Sequence, residues 1–265
     1  MPSASSIVVE VGDVPVALTT ANAELLAMLE QRFRRFVNHP AAPVFEFDIT
    51  VVPGDALDSD ADLEVSAERG NWRLRRGDFH AEWNPDRRRG SIRQTLTPYA
   101  VDSVLRIVHT LLLSRERGFL LHASSAVRDG RAFLFTGPSG AGKTTIVRHA
   151  PSDVTVLTDE ISYVRRQGNR YVAFGTPFAG DWADVGEPLS APVAALFQLA
   201  QGPDTEIGRL DSPSAVRTLM RNILFFANDR ALTRHVLDTA CDFAAAVPSF
   251  RLTSAPGPQV WEAIR

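Results

Sequence analysis

The chain has 265 residues, of which 45% are hydrophobic and 22% are charged, a balance that supports one large or two modest domains and excludes a disordered chain. A net charge of −3 excludes a general basic field of the kind that holds nucleic acid or an anionic membrane. A single cysteine, Cys241, excludes an internal disulfide. Because it lies in the apolar run 239–247, we expect a buried side chain rather than a reactive thiol.

The N-terminal sequence predicts a small α+β unit over residues 1–97. Apolar residues at helical spacing predict a helix over 22–37, and alternating segments predict five short strands. These strands are expected at 44–52, 62–68, 71–75, 79–83 and 91–96. The turn before the last strand carries Arg87, Arg88 and Arg89, which we interpret as a solvated turn with docking of an acidic substrate segment as the alternative.

A strong helix is predicted next, over 97–117, with Thr97 as its cap and Pro98 in its first turn. We expect residues 98–118 to bridge the N-terminal unit and a second domain over 119–265.

The second domain should alternate strands and helices. Strands are predicted at 119–127, 132–136, 154–157, 161–164, 170–174, 193–200 and 249–253, and helices at 212–227 and 229–246. A further helix should begin inside the glycine-rich loop that follows the second of these strands. The N-terminus lacks a basic segment followed by an apolar core, and the longest apolar stretch, 104–113, contains Arg106 and His109. We therefore expect a cytoplasmic protein.

Residues 137–144 read Gly-Pro-Ser-Gly-Ala-Gly-Lys-Thr, a full match to the phosphate-binding pattern G-x-x-x-x-G-K-[ST]. Lys143 is the only lysine among 28 Lys and Arg residues, which suggests that arginine would not serve at this position. In such loops the backbone N–H groups surround the phosphates, the lysine reaches the β and γ oxygens, and the Ser/Thr hydroxyl ligates Mg²⁺. The motif predicts nucleotide binding and leaves several classes of enzyme open. The Leu-Ser-Gly-Gly signature of ABC ATPases is absent. The guanine-binding motif Asn-Lys-x-Asp of GTPases is also absent, because the only lysine lies in the phosphate-binding loop.

Five segments together resemble the HPr kinase/phosphorylase family and its shorter relatives, which share a fold with phosphoenolpyruvate carboxykinase. They are Leu-His-Ala at 121–123, the loop 137–145, Leu-Thr-Asp-Glu at 157–160, Gly-Thr-Pro-Phe-Ala-Gly-Asp at 175–181, and 247–252. The resemblance runs from about residue 119 to the C-terminus and implies an α/β fold with a phosphate-loop core of this type.

The resemblance also implies roles for individual residues. Nucleotide-binding positions would be Gly137, Pro138, Ser139, Gly140, Ala141, Gly142, Lys143, Thr144 and Thr145. The catalytic set would be Lys143, His122, Asp159 and Glu160, with Asp159 as metal ligand or base and Glu160 as its partner. Thr144, Asp159 and Asp181 would hold the metal, and Arg209, Arg217 and Arg221 are candidates for a charge-stabilising arginine.

These assignments predict an ATP- and Mg²⁺-dependent kinase that phosphorylates a Ser or Thr hydroxyl of a peptide or small protein. ATP rather than GTP is implied by the resemblance alone. The C-terminal signature of HPr kinases is missing, which argues against HPr as the acceptor and against phosphorylase activity. The alternatives are a nucleotide-binding regulator that transfers no phosphate and carboxykinase-type chemistry. We expect neither nucleic acid nor membrane as a partner, and a homo-oligomer is possible.

Overall fold

A computed structural model describes residues 4–38, 40–53, 61–178, 186–255 and 257–264. The protein is a mixed α/β chain with two sheets. It divides into two compact units, Met1–His109 with Phe226–Asn228, and Thr110–Phe225 with Asp229–Arg265. The division falls within the predicted 98–118 helix, whose bridging role stays a prediction together with the other domain bounds.

The N-terminal unit contains a seven-stranded sheet. Its elements in chain order are β1 (Ser5–Val11), β2 (Val14–Thr20), α1 (Ala23–Phe33), β3 (Phe45–Val51), β4 (Glu64–Glu68), β5 (Asn71–Arg76), β6 (Phe79–Asn84) and β7 (Arg89–Gln94), followed by α2 (Tyr99–Leu113). The strand order is β1-β2-β3-β7-β6-β5-β4. The predicted helices and five strands are confirmed with shifted ends, and α2 begins after Thr97, whose hydroxyl accepts the Tyr99 N–H at 3.3 Å.

Sequence reasoning missed the β1–β2 hairpin. Residues on both faces of these strands are buried, so their sequence lacks the alternation that marks a half-exposed strand. The strands β3, β5 and β6 do alternate. Their inward residues are buried, with Phe45 against Trp83 at a ring-centroid distance of 5.4 Å, while their outward residues are exposed.

The C-terminal unit contains a nine-stranded sheet and four helices among its described residues. Its elements are β8 (Gly118–Arg128), β9 (Arg131–Thr136), α3 (Lys143–Arg148), β10 (Val154–Thr158), β11 (Ile161–Gln167), β12 (Arg170–Phe174), β13 (Ser190–Gln201), β14 (Glu206–Arg209), α4 (Ser212–Asn222), β15 (Ile223–Leu224), α5 (Arg230–Ala246), β16 (Ser249–Ser254) and α6 (Val260–Ala263). The long strand β8 pairs with β9, β10, β11 and β15, and β13 pairs with β9, β12 and β16. These two strands therefore connect the whole sheet.

Two expectations for this unit were wrong. The helix predicted over 212–227 ends at Asn222, because Ile223 and Leu224 leave it to pair with β8. Cys241 is exposed rather than buried. The buried face of α5 is formed by Leu232, Val236, Thr239, Ala240 and Phe243. Cys241 lies on a different face of the helix, although its neighbours in sequence are apolar.

In the described residues no helix is both long enough and apolar enough to cross a membrane.

The C-terminal helix α6 supports the helix that follows the glycine-rich loop. The Trp261 ring is 2% exposed, packs edge-on against Phe135 at 5.5 Å, and donates its Nε1–H to the Ile146 carbonyl of α3 at 2.9 Å. We expect Trp261→Ala to lower the free energy of unfolding by about 3 to 5 kcal/mol, through the lost packing and the cavity. Trp261→Phe keeps a ring and should lose only about 1 to 3 kcal/mol, mainly from the unsatisfied carbonyl.

Urea unfolding followed by circular dichroism gives both free energies. Equal losses of unfolding free energy in the two variants would contradict a packing role for the Trp261 ring. Unchanged urea midpoints in both variants would contradict the support of α3 by α6.

Candidate functional site

The glycine-rich loop 137–144 lies between β9 and α3, in the strand, loop and helix order that the motif requires. Gly140 and Gly142 have φ values of 76° and 101°, a left-handed conformation that L side chains rarely adopt. The Ala141 N–H donates to the Pro138 carbonyl at 3.1 Å, which closes the turn. The glycines of the motif therefore serve the backbone path of the loop.

Lys143 opens α3 and is only 8% exposed. Its Nζ donates to the backbone carbonyls of Gly137 at 2.9 Å and Pro138 at 3.2 Å, so the ammonium lies against the start of its own loop. Burial lowers the pKa of Lys143 below its usual value, and the negative charge of Glu160 partly offsets this by raising it.

The acidic pair follows the end of β10. The Thr158 hydroxyl accepts the N–H groups of Glu160 and Ile161, both at 3.3 Å, and this side-chain turn sets the course of the backbone through Asp159. The Thr176 hydroxyl donates to the Ile161 carbonyl at 2.7 Å and lies 3.3 Å from the Thr158 hydroxyl, whose proton it can accept. Asp159 is 1% exposed, whereas Glu160 is half-buried.

Strand β8 ties this turn to the loop. His122 is the register partner of Ile161, and the Ala123 N–H donates to the Glu160 carbonyl at 2.9 Å. On the loop side, the Thr136 hydroxyl donates to the His122 carbonyl at 2.9 Å, and the Ser124 hydroxyl donates to the Lys143 carbonyl at 2.8 Å. Three consecutive residues of β8, His122, Ala123 and Ser124, thus connect the acidic turn to the glycine-rich loop.

The glycine-rich loop and the acidic turn enclose a cleft of about 300 Å³. Its lining residues are His122, Ser139, Gly140, Gly142, Lys143, Thr144, Thr145, Asp159 and Glu160. The volume is at the lower end of the roughly 300 to 1,000 Å³ typical of ligand pockets. The structure therefore places next to one another the loop and the three candidates His122, Asp159 and Glu160, which are 15 or more residues away from it in sequence.

The other predicted site residues do not line this cleft among the described residues. Gly137, Pro138 and Ala141 belong to the loop without lining the cleft, and the carbonyls of the first two hold Lys143. The arginine candidates Arg209, Arg217 and Arg221 are not among the described lining residues. Asp181 lies outside the described residues, so its predicted role as a metal ligand stays a prediction.

The sequence predicted no role in the site for Ser124, Gln201 or Thr176, although Thr176 lies in one of the segments that carry the family resemblance. Ser124 is fully buried, and its place two residues after His122 on the same strand was an available signal. Gln201, at the end of β13, donates its side-chain amide to the Gly140 carbonyl at 2.8 Å. Its contact joins segments 61 residues apart, so no local pattern could have predicted it.

Two oxygen donors of the kind that ligate Mg²⁺ line the cleft. This ion is usually held by one or two carboxylates together with substrate phosphates and water. The Asp159 carboxylate and the Thr144 hydroxyl line the same small cleft, so they fit this pattern. Across the described part of the chain, no group of three or more His, Cys, Asp or Glu side chains is suited to hold a metal, so the phosphates would complete the ligand set.

The charge coupling between Lys143 and Glu160 gives a testable prediction. Glu160→Gln removes the charge that raises the Lys143 pKa, so this pKa should fall further. The rate of acylation of the Lys143 amine should then reach its plateau at a lower pH than in the parent protein. Peptide mapping by mass spectrometry against pH measures this profile directly, because Lys143 is the only lysine.

The matched control is Glu116→Gln, whose half-exposed carboxylate lies 3.7 Å from Arg165 and is no partner of Lys143. A profile that moves to higher pH in Glu160→Gln, or that moves equally in both variants, would contradict the coupling.

Fold and site together define a mixed α/β protein in which a glycine-rich phosphate-loop motif faces an acidic turn. A family model described as "ScmC: SynChlorMet cassette protein ScmC" matches residues 91–265. The chain belongs to this family.

Other comparisons add little. No curated protein matches the sequence significantly. Among solved structures, the chain is similar to the Hpr(Ser) kinase/phosphatase from Coxiella burnetii, with 11% sequence identity over 55% of this chain and 87% of that chain and a TM-score of 0.32. A similarity this distant does not establish a shared activity.

Proposed function

We propose that the protein is an ATP- and Mg²⁺-dependent kinase that transfers the γ-phosphoryl group to a Ser or Thr hydroxyl of a peptide or small protein. The observation that carries the proposal is the cleft, in which Lys143 and Thr144 of the loop face Asp159, Glu160 and His122. Phosphoryl transfer requires a cation over the phosphates, an in-line hydroxyl and a group that takes its proton. The sequence resemblance supports an HPr kinase-like fold and a peptide acceptor as parts of this proposal.

Binding would begin with a movement of Lys143. The hydrogen bonds from its Nζ to the Gly137 and Pro138 carbonyls must give way to bonds with the β and γ oxygens of the nucleotide. The backbone of 139–144 would surround the phosphates, and Thr144 with Asp159 would hold Mg²⁺, which when bound neutralises charge on the phosphates.

Transfer would then use the acidic pair. A carboxylate has two oxygens, so Asp159 can face the metal with one and accept the hydroxyl proton of the acceptor with the other. The hydroxyl oxygen bonds to the γ phosphorus as the bond to the β,γ-bridging oxygen breaks, and ADP leaves. Glu160 and His122 flank this carboxylate in the cleft and would shape the field around it.

A nucleotide-binding regulator is the second candidate. Kinases and related enzymes commonly place a further cation over the transferred group. Among the described residues that line the cleft, Lys143 and His122 are the only ones that can carry positive charge, and none is arginine. A protein that binds nucleotide without transferring phosphate is consistent with that composition.

Calorimetry and an ADP-release assay separate the two candidates. We expect Mg²⁺ and ATP to bind with a stoichiometry of about one per chain. A kinase should release ADP faster when a pool of Ser- and Thr-containing peptides is added, and the same pool with Ala at those positions should have no effect. Binding with no peptide-dependent ADP release supports the regulator, and the absence of binding contradicts both.

A further inference from the structure

Three side chains form a row on the outer face of the N-terminal sheet. Arg75 of β5 is the register partner of His80 of β6, and His80 is the register partner of Arg93 of β7. All three side chains are exposed. Neighbouring strands lie about 4.8 Å apart, so the row is roughly 10 Å long. The two guanidinium groups therefore lie on one face with an imidazole between them.

The other arginines of this face have carboxylate partners. Arg73, one register step away on β5, bonds to Glu68 at 2.5 Å and lies 3.3 Å from Glu82. Arg89 lies 3.1 Å from Glu46.

Arg76 is also neutralised. Its guanidinium makes two hydrogen bonds to Asp78, at 2.6 and 2.7 Å, and lies over the Phe79 ring. Within the residues that the structure describes, Arg75, His80 and Arg93 make no hydrogen bond or ion pair. The row is thus the part of this face whose positive charge is not neutralised by a partner in direct contact.

The surroundings of the row limit what it can bind. Arg75, His80 and Arg93 line a cleft of about 850 Å³ that also contains Asp62 and Glu64. Glu64 is the register partner of Arg75 on β4, so the positive row ends at a carboxylate. A long polyphosphate chain would meet this acidic end and a protein of net charge −3. A short segment with two carboxylates carries less charge and need not extend beyond Arg75, so it meets less of that repulsion.

We propose that this row is a docking site for an acidic, extended peptide segment. Guanidinium groups bind carboxylates with paired hydrogen bonds, and the His80 ring N–H can donate a third. In a polyproline II segment, side chains at positions i and i+3 lie on the same face about 9 Å apart, which is close to the span from Arg75 to Arg93. The site does not depend on the proposed kinase activity. Arg75 and His80 precede the region matched by the family model, which begins at residue 91.

Fluorescence anisotropy with the full chain tests this site without nucleotide. The probe is a fluorescein-labelled peptide, Ser-Glu-Ser-Ser-Glu-Ser-Ser-Glu-Ser, and the comparison peptide has Gln in place of each Glu. The Glu peptide should bind, and the Gln peptide should bind at least about tenfold more weakly. The double variant Arg75→Ser/Arg93→Ser should weaken binding of the Glu peptide by at least about tenfold. Arg73→Ser, in the adjacent row with its charge already paired, should change binding by less than about threefold.

Each remaining outcome overturns the proposal. Equal binding of the two peptides, or equal loss in the double variant and in Arg73→Ser, would show general charge attraction. Tighter binding of an oligo-dT strand than of the Glu peptide would assign the row to nucleic acid.

The sequence between 53 and 61 includes Asp55, Asp58 and Asp60. Binding that occurs only after these three are changed to Asn would assign the row to the chain's own carboxylates. Thermal unfolding confirms that every variant is folded.

Discussion

Lys143→Ala should weaken the binding of Mg²⁺ and ATP by at least about 100-fold, because a charged hydrogen-bond donor to the phosphates is worth roughly 1.5 to 3 kcal/mol per bond. Lys143→Arg should fail as well. The Nζ occupies a position that is 8% exposed, between two backbone carbonyls, where a planar guanidinium has no equivalent fit. Calorimetry with Mg²⁺ and ATP measures both affinities.

Loss of folding must be excluded as the cause. Burial disfavours the ammonium form of Lys143, so removal of this charge offsets part of the loss of its hydrogen bonds to the Gly137 and Pro138 carbonyls, and we expect Lys143→Ala to fold. Urea unfolding of Lys143→Ala therefore serves as the control. Nucleotide affinity within a factor of about three of the parent protein would contradict the assignment of the loop as the nucleotide site.

Asp159→Asn should lower the rate of phosphoryl transfer by roughly 10²- to 10⁴-fold, the usual contribution of a positioned general base. The substitution keeps the size of the side chain and removes its charge, so the buried turn at Thr158 should remain intact. Without Mg²⁺, ADP affinity should change by less than about threefold, because the loop supplies the phosphate contacts. Single-turnover rates and ADP calorimetry give the two quantities.

Asp153→Asn is the matched control. This carboxylate precedes β10, is 52% exposed and bonds to Arg128 at 2.8 Å, away from the cleft lining. Its loss should leave the transfer rate within about twofold of the parent value. A rate in Asp159→Asn that equals the rate in Asp153→Asn would contradict a catalytic role for the acidic turn.

Local patterns were sufficient to predict most elements and the loop itself. Helical spacing located α1, α2 and α5, and the alternation of β3, β5 and β6 reflects a sheet with one exposed face. The hairpin β1–β2 was missed because burial on both faces removes alternation. Cys241 was misplaced for a related reason, since an apolar run on a helix includes positions that face away from the core.

The assembly of the cleft depends on long-range pairing. The register of β8 with β11 places His122 beside the acidic turn, and two hydroxyl bonds join β8 to the loop. The spacing of residues within one segment does not predict which strands pair or in which register. The family resemblance supplied His122, Asp159 and Glu160 as candidates, while contacts such as Gln201 to Gly140 emerge only from the folded sheet.

The most direct test of the central claim is mass spectrometry of a Ser- and Thr-containing peptide library after incubation with Mg²⁺ and γ-¹⁸O-labelled ATP. We expect labelled phosphoryl groups on Ser or Thr side chains with the parent protein, and none above background with Lys143→Ala or Asp159→Asn. Labelled peptides formed equally by all three proteins would contradict phosphoryl transfer in this cleft, as would nucleotide binding by the parent protein that never labels a peptide.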